Sequence, residues 1–143
     1  MLQRRIAAAK RLSGLGGKDW SDMTMRLTIR IDFAAGDALG PGKIGLLERV
    51  GETGSIRGAA SAMKMSYRRA WLLLKAVEKT FGARLIQTAT GGKSGGGTDL
   101  TALGRRVVRH YRAVEQSAAK ASNRHLVALD RARRHAGVRG KAR

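Results

Sequence analysis

A chain of 143 residues has room for one domain with extensions. Its 29 Lys and Arg outnumber 10 Asp and Glu, which leaves a formal net charge of +19. The absence of cysteine excludes disulfide scaffolds, thiolate nucleophiles, iron–sulfur ligation and cysteine-based zinc sites, and only 4% of residues are aromatic, so the core must be aliphatic.

A sequence pI near 11.7 points first to nucleic acid. Lys and Arg neutralise phosphates and release condensed counterions, a source of affinity that is independent of base sequence. Anionic membrane surfaces and acidic proteins attract the same charge. No apolar run approaches the ~18–20 residues of a membrane-spanning helix, and a reducing cytoplasm suits a chain without cysteine. The expected location is therefore cytoplasmic, on the nucleoid.

The charge is unevenly spread. Residues 1–24 hold five basic and two acidic side chains, residues 25–104 hold twelve and six, and residues 105–143 hold twelve and two. The reading is a basic N-terminal extension over 1–24, a folded domain over 25–130 and a basic disordered tail over 131–143. Within the first segment, Met1–Lys18 is Arg-rich and acid-free like a transit peptide, but it is poor in Ser and its apolar stretch is confined to Ile6–Ala9.

In Met25–Phe33, Leu27, Ile29, Ile31 and Phe33 alternate with polar residues, a period of two that predicts a half-buried strand. Ala34–Gly40 reads as a loop. Pro41 suits the first turn of a helix, where a missing N–H costs nothing. Lys43–Val50 reads as a short helix ended by Gly51 and Gly54. Ser55 is placed to cap Ile56–Met63, whose Gly58, Ala59, Ala60 and Ala62 allow close helix approach. Ser66 is placed to cap Tyr67–Thr80, which ends at Gly82. Tyr67, Trp71, Leu74, Val77 and Phe81 are spaced as a core stripe, so Trp71 is expected inside. Arg84–Thr90 and Thr98–Leu100 form a hairpin around the glycine-rich Gly91–Gly97. Thr101 caps a long final helix striped by Leu103, Val107, Tyr111, Val114 and Ala118. Leu126 and Leu129 extend that stripe.

Strand, three helices, hairpin and long helix in this order make a mainly α fold with a small β hairpin: a winged helix-turn-helix with a long C-terminal dimerisation helix. Ala59 and Ala60 precede a tight link at Lys64–Ser66, and small residues there permit a steep crossing. The following helix opens with Ser66, Tyr67, Arg68 and Arg69. Recognition helices meet base edges through their N-terminal residues; Arg pairs bidentately with guanine, and hydroxyls and the helix N-terminus suit phosphate. Arg57, Lys64 and Lys93 are assigned to the DNA backbone, and Ser94 is placed beside Lys93 as a DNA-binding residue of the wing. Each assignment has a plainer counterpart. Arg68 and Arg69 also fit a solvated face, Tyr67 a core edge, Ser55 and Ser66 simple caps, and Lys93 and Ser94 an idle loop.

Enzymatic constellations are absent. Gly92-Lys93-Ser94 lacks the glycine that a phosphate-binding loop needs where Gln87 stands, and glycines rather than a helix follow it. His110, His125 and His135 match no zinc spacing. Ser117, Asp130 and His135 have a triad's letters without a nucleophile elbow. Glu48 and Glu52 read as surface charges. The protein is expected not to be an enzyme.

The runs Gly40–Ile56, Ala59-Ala60, MSYRRAW (Met65–Trp71), TATGGKSGGG (Thr88–Gly97) and LTALG (Leu100–Gly104) resemble the N-terminal DNA-binding domain of the molybdate-dependent transcriptional regulator (ModE) family, a LysR-type winged helix-turn-helix. The resemblance implies a homodimer on a palindromic operator, with DNA contact at Ser66–Arg69 and a wing at Gly91–Gly97. The dimer is expected through the helix containing Val107, Tyr111 and Val114, and it would set half-sites about 34 Å apart. Family members carry C-terminal molybdate-binding β-barrels. The residues after Tyr111 show no strand pattern, so no cofactor is expected and molybdate is not expected to bind this chain directly. The leading expectation is a sequence-specific, double-stranded-DNA-binding regulator linked to molybdate or metal-oxyanion transport or metabolism. The alternative is a non-specific architectural nucleic-acid-binding protein.

Overall fold

The computed structural model describes residues 25–34, 36–89 and 97–140. Expectations placed on residues 1–24, on the hairpin tip with Lys93 and Ser94, and on residues 141–143 lie outside the described residues. The elements are β1 (Ile31–Asp32), β2 (Ala38–Leu39), α1 (Pro41–Thr53), α2 (Ile56–Ala62), α3 (Tyr67–Phe81), β3 (Ile86–Ala89), β4 (Gly97–Leu100) and α4 (Ala102–Gly140). This is the mainly helical order with a small hairpin that the sequence predicts. Thr28–Lys120 form one compact unit, and the part of α4 from Ala121 onward falls in a second.

The first strand is shorter than its alternation suggests. β1 pairs antiparallel with β2 only at Ile31↔Leu39 and Asp32↔Ala38. The reason is the partner: Pro41 starts α1 immediately after Gly40, so β2 has no further residues to offer. The predicted loop at 34–40 therefore contains the second strand of a small hairpin. Its turn is closed by Phe33 N–H donating to the Asp37 carbonyl at 2.8 Å.

The core is aliphatic. α1 buries Ile44, Leu46, Leu47 and Val50, α2 buries Ala59 and Ala60, and α3 buries Ala70, Leu74 and Val77. Two alanines are the whole buried contribution of α2, which is why this short helix packs closely against both α1 and α3. Helix ends follow their chemistry. Pro41 opens α1, Ser55 Oγ accepts from Gly58 N–H at 2.8 Å, and Ser66 Oγ accepts from Arg69 N–H at 3.2 Å. α1 stops at Gly54, whose φ of 73° is the left-handed conformation that glycine tolerates best. Gly51 lies inside α1 rather than at its end.

Trp71 is not in the core. It is 42% exposed, although Leu74 and Val77 of the same expected stripe are buried. Ala70, Leu74 and Val77 define the inward arc of α3, and Trp71 lies beside that arc rather than on it. A second correction concerns α4. Val107 and Tyr111 are not free for a partner helix: both are buried in the chain's own core, Tyr111 at 2% exposure, while Val114 remains 43% exposed. The Tyr111 hydroxyl donates to the Ile29 carbonyl at 2.7 Å, tying α4 to the segment before β1.

Glu48 is more than a surface charge. Its carboxylate receives the Arg112 guanidinium as a fork, Nε to Oε1 at 2.8 Å and Nη2 to Oε2 at 2.7 Å. The same guanidinium also donates to Glu115. Glu48, by hydrogen bonding, holds Arg112 above its ordinary pKa against the opposing effect of burial, and Glu115 adds to it. The fork fastens α4 to α1. Glu52 is an exposed partner of Arg49.

Of the tail expected to be disordered over 131–143, residues 131–140 belong to α4, which continues to Gly140. The segment is rich in Ala and Arg, both good helix formers. Asp130 supports this turn by accepting from Arg133 at 2.9 Å and from Arg134 at 2.8 Å. Those two arginines hold its carboxyl below the usual range.

Burial raises the Tyr111 phenol above its ordinary 10.0; Glu115 pushes the same way and Arg112 opposes. The folded state therefore holds this proton more tightly than the unfolded chain. Its stabilisation is complete below pH 10 and is lost as pH rises through the folded value. Tyr111→Phe is expected to cost about 1 kcal/mol near neutrality. The gap from the parent should narrow in urea unfolding series carried from pH 8 into the alkaline range.

Candidate nucleic-acid interface

The link between α2 and α3 determines where the exposed basic residues point. It is tight because its amides return to the end of α2. Met63 N–H donates to Ala59 and Ala60 carbonyls, Lys64 N–H to Ser61 and Met65 N–H to Ala60, all at 3.0–3.1 Å. The turn requires a left-handed residue, and Lys64 supplies it with φ 55°, the single positive-φ non-glycine residue among those described. Such a conformation costs a residue with a Cβ about 1 kcal/mol or more. In return, an ammonium-bearing side chain stands at the corner of the helix-turn-helix.

α3 leaves this corner with its N-terminal half exposed. Ser66, Tyr67, Arg68 and Arg69 are all exposed, as are Arg57 and Lys64. Six of the eight residues assigned from sequence are thus brought to one surface formed by α2, the turn and the start of α3. The alternatives for Tyr67 are resolved toward the surface: it is 47% exposed, and the Arg57 guanidinium lies 5.6 Å from its ring centroid. Neither Arg68 nor Arg69 has a side-chain ion pair with a described residue. A cation with no carboxylate of its own remains available to an incoming phosphate or base edge. The amides at the start of α3 add their positive end to the same place, although Ser66 already satisfies the Arg69 N–H.

The wing is held at a fixed distance from α3. β3 and β4 pair antiparallel from Ile86↔Leu100 to Ala89↔Gly97. Glu78 Oε1 of α3 accepts from the Leu85 and Ile86 N–H groups at 3.2 and 3.4 Å, so one carboxylate ties the end of the helix to the root of the hairpin. Its other oxygen takes the Lys75 ammonium at 3.0 Å. On the opposite strand, Thr98 N–H donates to the Gly54 carbonyl at 2.7 Å, close enough that a Cβ at Gly97 would sit 2.8 Å from that oxygen. Only glycine fits there without displacement.

Sequence reasoning missed Glu78, and it placed Trp71 on the wrong side of α3. Leu72, 51% exposed, was missed as well. Only the inward arc that the structure defines separates the three. Measured from Ala70, Leu74 and Val77, Leu72 falls on the far arc with Arg68, whereas Trp71 and Glu78 fall on the side toward the hairpin.

Three helices with a turn of this kind between the second and third, followed by a two-stranded wing, define a winged helix-turn-helix. Residues 42–105 match the family described as bacterial regulatory helix-turn-helix protein, lysR family.

The relatives bear out the resemblance carried by MSYRRAW and the glycine-rich run. The molybdenum transport protein ModE of Azotobacter vinelandii is 40% identical over 85 residues, covering 59% of this chain and 32% of that protein. The molybdenum transport protein ModE of Herbaspirillum seropedicae is 50% identical over 56 residues, covering 39% and 21%. The DNA-binding transcriptional dual regulator ModE of Escherichia coli K12 is 36% identical over 81 residues, covering 57% and 31%. The chain spans at most about a third of the length of these relatives. A crystal structure of a CbnR_DBD–DNA complex aligns with a TM-score of 0.48 at 22% identity, over 62% of this chain and 95% of that one.

The strained turn yields a two-sided expectation. Lys64→Gly relieves the left-handed strain at the cost of a more flexible unfolded chain, and thermal unfolding should show a net gain of about 0.5–1 kcal/mol. The same variant should bind duplex DNA more weakly, with the slope of log affinity against log salt reduced by about one.

Proposed function

We propose that the protein is a sequence-specific DNA-binding transcription regulator acting on genes of molybdate or metal-oxyanion transport or metabolism. The observation that carries this reading is the exposed, carboxylate-free presentation of Arg68 and Arg69 on the first turn of α3, on a helix fixed by Ala70, Leu74 and Val77 beneath it. A rigid helix with arginine at its free end suits bidentate pairing with guanine in a major groove. Arg57, Lys64 and Ser66 flank it and suit the phosphates, which fix register rather than sequence. Lys93 and Ser94 would extend that backbone contact from the wing. The molybdenum connection comes from the relatives named for molybdenum transport and from the dual regulator ModE.

The reading includes a homodimer in the cytoplasm, on the nucleoid. Its support is an open apolar groove walled by Ile31, Phe33, Phe81 and Leu103, with exposed Val114 on its rim. Val107 and Tyr111 would support that face from beneath rather than cross to the partner. Nothing in the reading requires catalysis. It also holds that molybdate is not bound by this chain; molybdate should then raise the melting temperature no more than sulfate does at equal ionic strength.

The decisive experiment selects and sequences genomic DNA fragments bound by the purified chain at about 150 mM salt, where loose electrostatic attachment is screened. Enrichment of a two-fold symmetric motif is expected. Uniform recovery would instead establish a non-specific architectural protein. On the selected site, Arg68→Ala with Arg69→Ala should cost about 3 kcal/mol, roughly a hundredfold in affinity. Circular dichroism should be unchanged, because both side chains are exposed; undiminished affinity would remove α3 from the interface.

A further inference from the structure

We infer that Leu72 reads the C5 methyl group of a thymine in the bound site. The inference rests on the reading of α3 as a recognition helix. α3 carries exposed apolar side chains on the surface where its exposed arginines stand: Tyr67, Trp71 and Leu72. Tyr67 lies against Arg57, and Trp71 lies against Lys75, whose ammonium is 5.7 Å from the ring centroid. Leu72 has no such cover. It is 51% exposed, the most exposed large apolar side chain of α3, and it projects from the arc opposite Leu74 and Val77.

Its neighbours identify the occupant. One turn before it is Arg68 and one turn after it is Ala76, while Lys79 continues the same outward arc. Lys75, one turn further along α3, is engaged by Glu78. Glu78 itself is turned inward to the hairpin root. The outward surface of α3 is therefore cationic at both ends and apolar in the middle, with no carboxylate aimed outward. That pattern suits a polyanion with an apolar point between its charged edges. A protein partner buried on this face would have to leave Arg68, Arg69 and Lys79 unpaired or bring an acidic rim of matching shape. In a major groove the one apolar group on the base edges is the thymine methyl.

The spacing makes the inference specific. Arg68 and Leu72 are one turn apart, a rise of ~6 Å along the axis. Base pairs along DNA rise 3.4 Å per step. A guanine met by Arg68 and a thymine met by Leu72 should therefore lie about two steps apart in each half-site.

The test uses the full chain and the site recovered by selection. Each thymine is replaced in turn by deoxyuridine, which removes only the methyl group. Burial of one methyl corresponds to about fourfold in affinity. One thymine per half-site, about two steps from an Arg68-dependent guanine, should show that loss with the parent protein. Leu72→Ala should bind the thymine and deoxyuridine sites equally. Arg68→Ala, tested alongside, should retain the distinction between them. Equal binding of both sites by the parent, or full discrimination by Leu72→Ala, overturns the assignment while leaving a sequence-specific regulator in place. Failure to recover any motif removes the recognition-helix reading itself, and this inference with it.

Discussion

The structure depends on a close approach at one carbonyl, that of Leu85. Its oxygen accepts the Thr101 N–H at 2.9 Å, and a Cβ on Gly104 would sit only 2.3 Å from it. The Leu85 amide is held by Glu78, and its side chain is fully buried. The Thr101 hydroxyl donates to the Arg84 carbonyl at 2.8 Å while accepting the Gly104 N–H at 3.0 Å. The end of α3, the root of the wing and the start of the long helix thus converge within a few residues. Any side chain at Gly104 would push them apart. The basic surface inherits its geometry from this junction, because α3 and the hairpin that flanks it are both anchored there.

A second set of ties works from the opposite side. The Gly54 carbonyl, at the corner between α1 and α2, takes the Thr98 amide of β4, and Glu48 of α1 takes the Arg112 fork of α4. The wing is thereby bonded both to the helix that it flanks and to the corner of the preceding pair. Positioning of this kind matters more than raw charge. A basic chain attracts any polyanion, but side chains held in register on a packed core can discriminate among base edges.

Much of the fold was legible in the sequence, and the reasons differ by element. Ser55, Ser66 and Thr101 were readable as caps because a short hydroxyl before a periodic run has few other uses. The hairpin was readable because glycines separate two β-prone runs. Three features were not legible. Trp71 follows a spacing compatible with a core stripe, and only the arc defined by Ala70, Leu74 and Val77 shows that it lies beside it. β1 was overestimated because strand length is set by the partner, and β2 is cut short by Pro41. The inward use of Val107 and Tyr111 was hidden because an apolar stripe on a long helix does not say whether it meets its own chain or another. On the candidate surface, the exposure of Arg68 and Arg69 was readable from their position at a helix start. Glu78 was not, since an acceptor for two backbone amides has no signature beyond one acidic residue in a basic helix.

The exposed middle of α3 also has a colloidal consequence. Trp71 and Leu72 would make an adhesive spot on an uncharged protein. Here Arg68, Arg69 and Lys79 surround that spot on a chain of net charge +19, so two such faces repel before they can touch. The charges that suit a polyanion thus also act as the dispersant of the free protein. Short polyanions, too brief to order the chains along them, would cancel that repulsion and turn the same face into a point of flocculation.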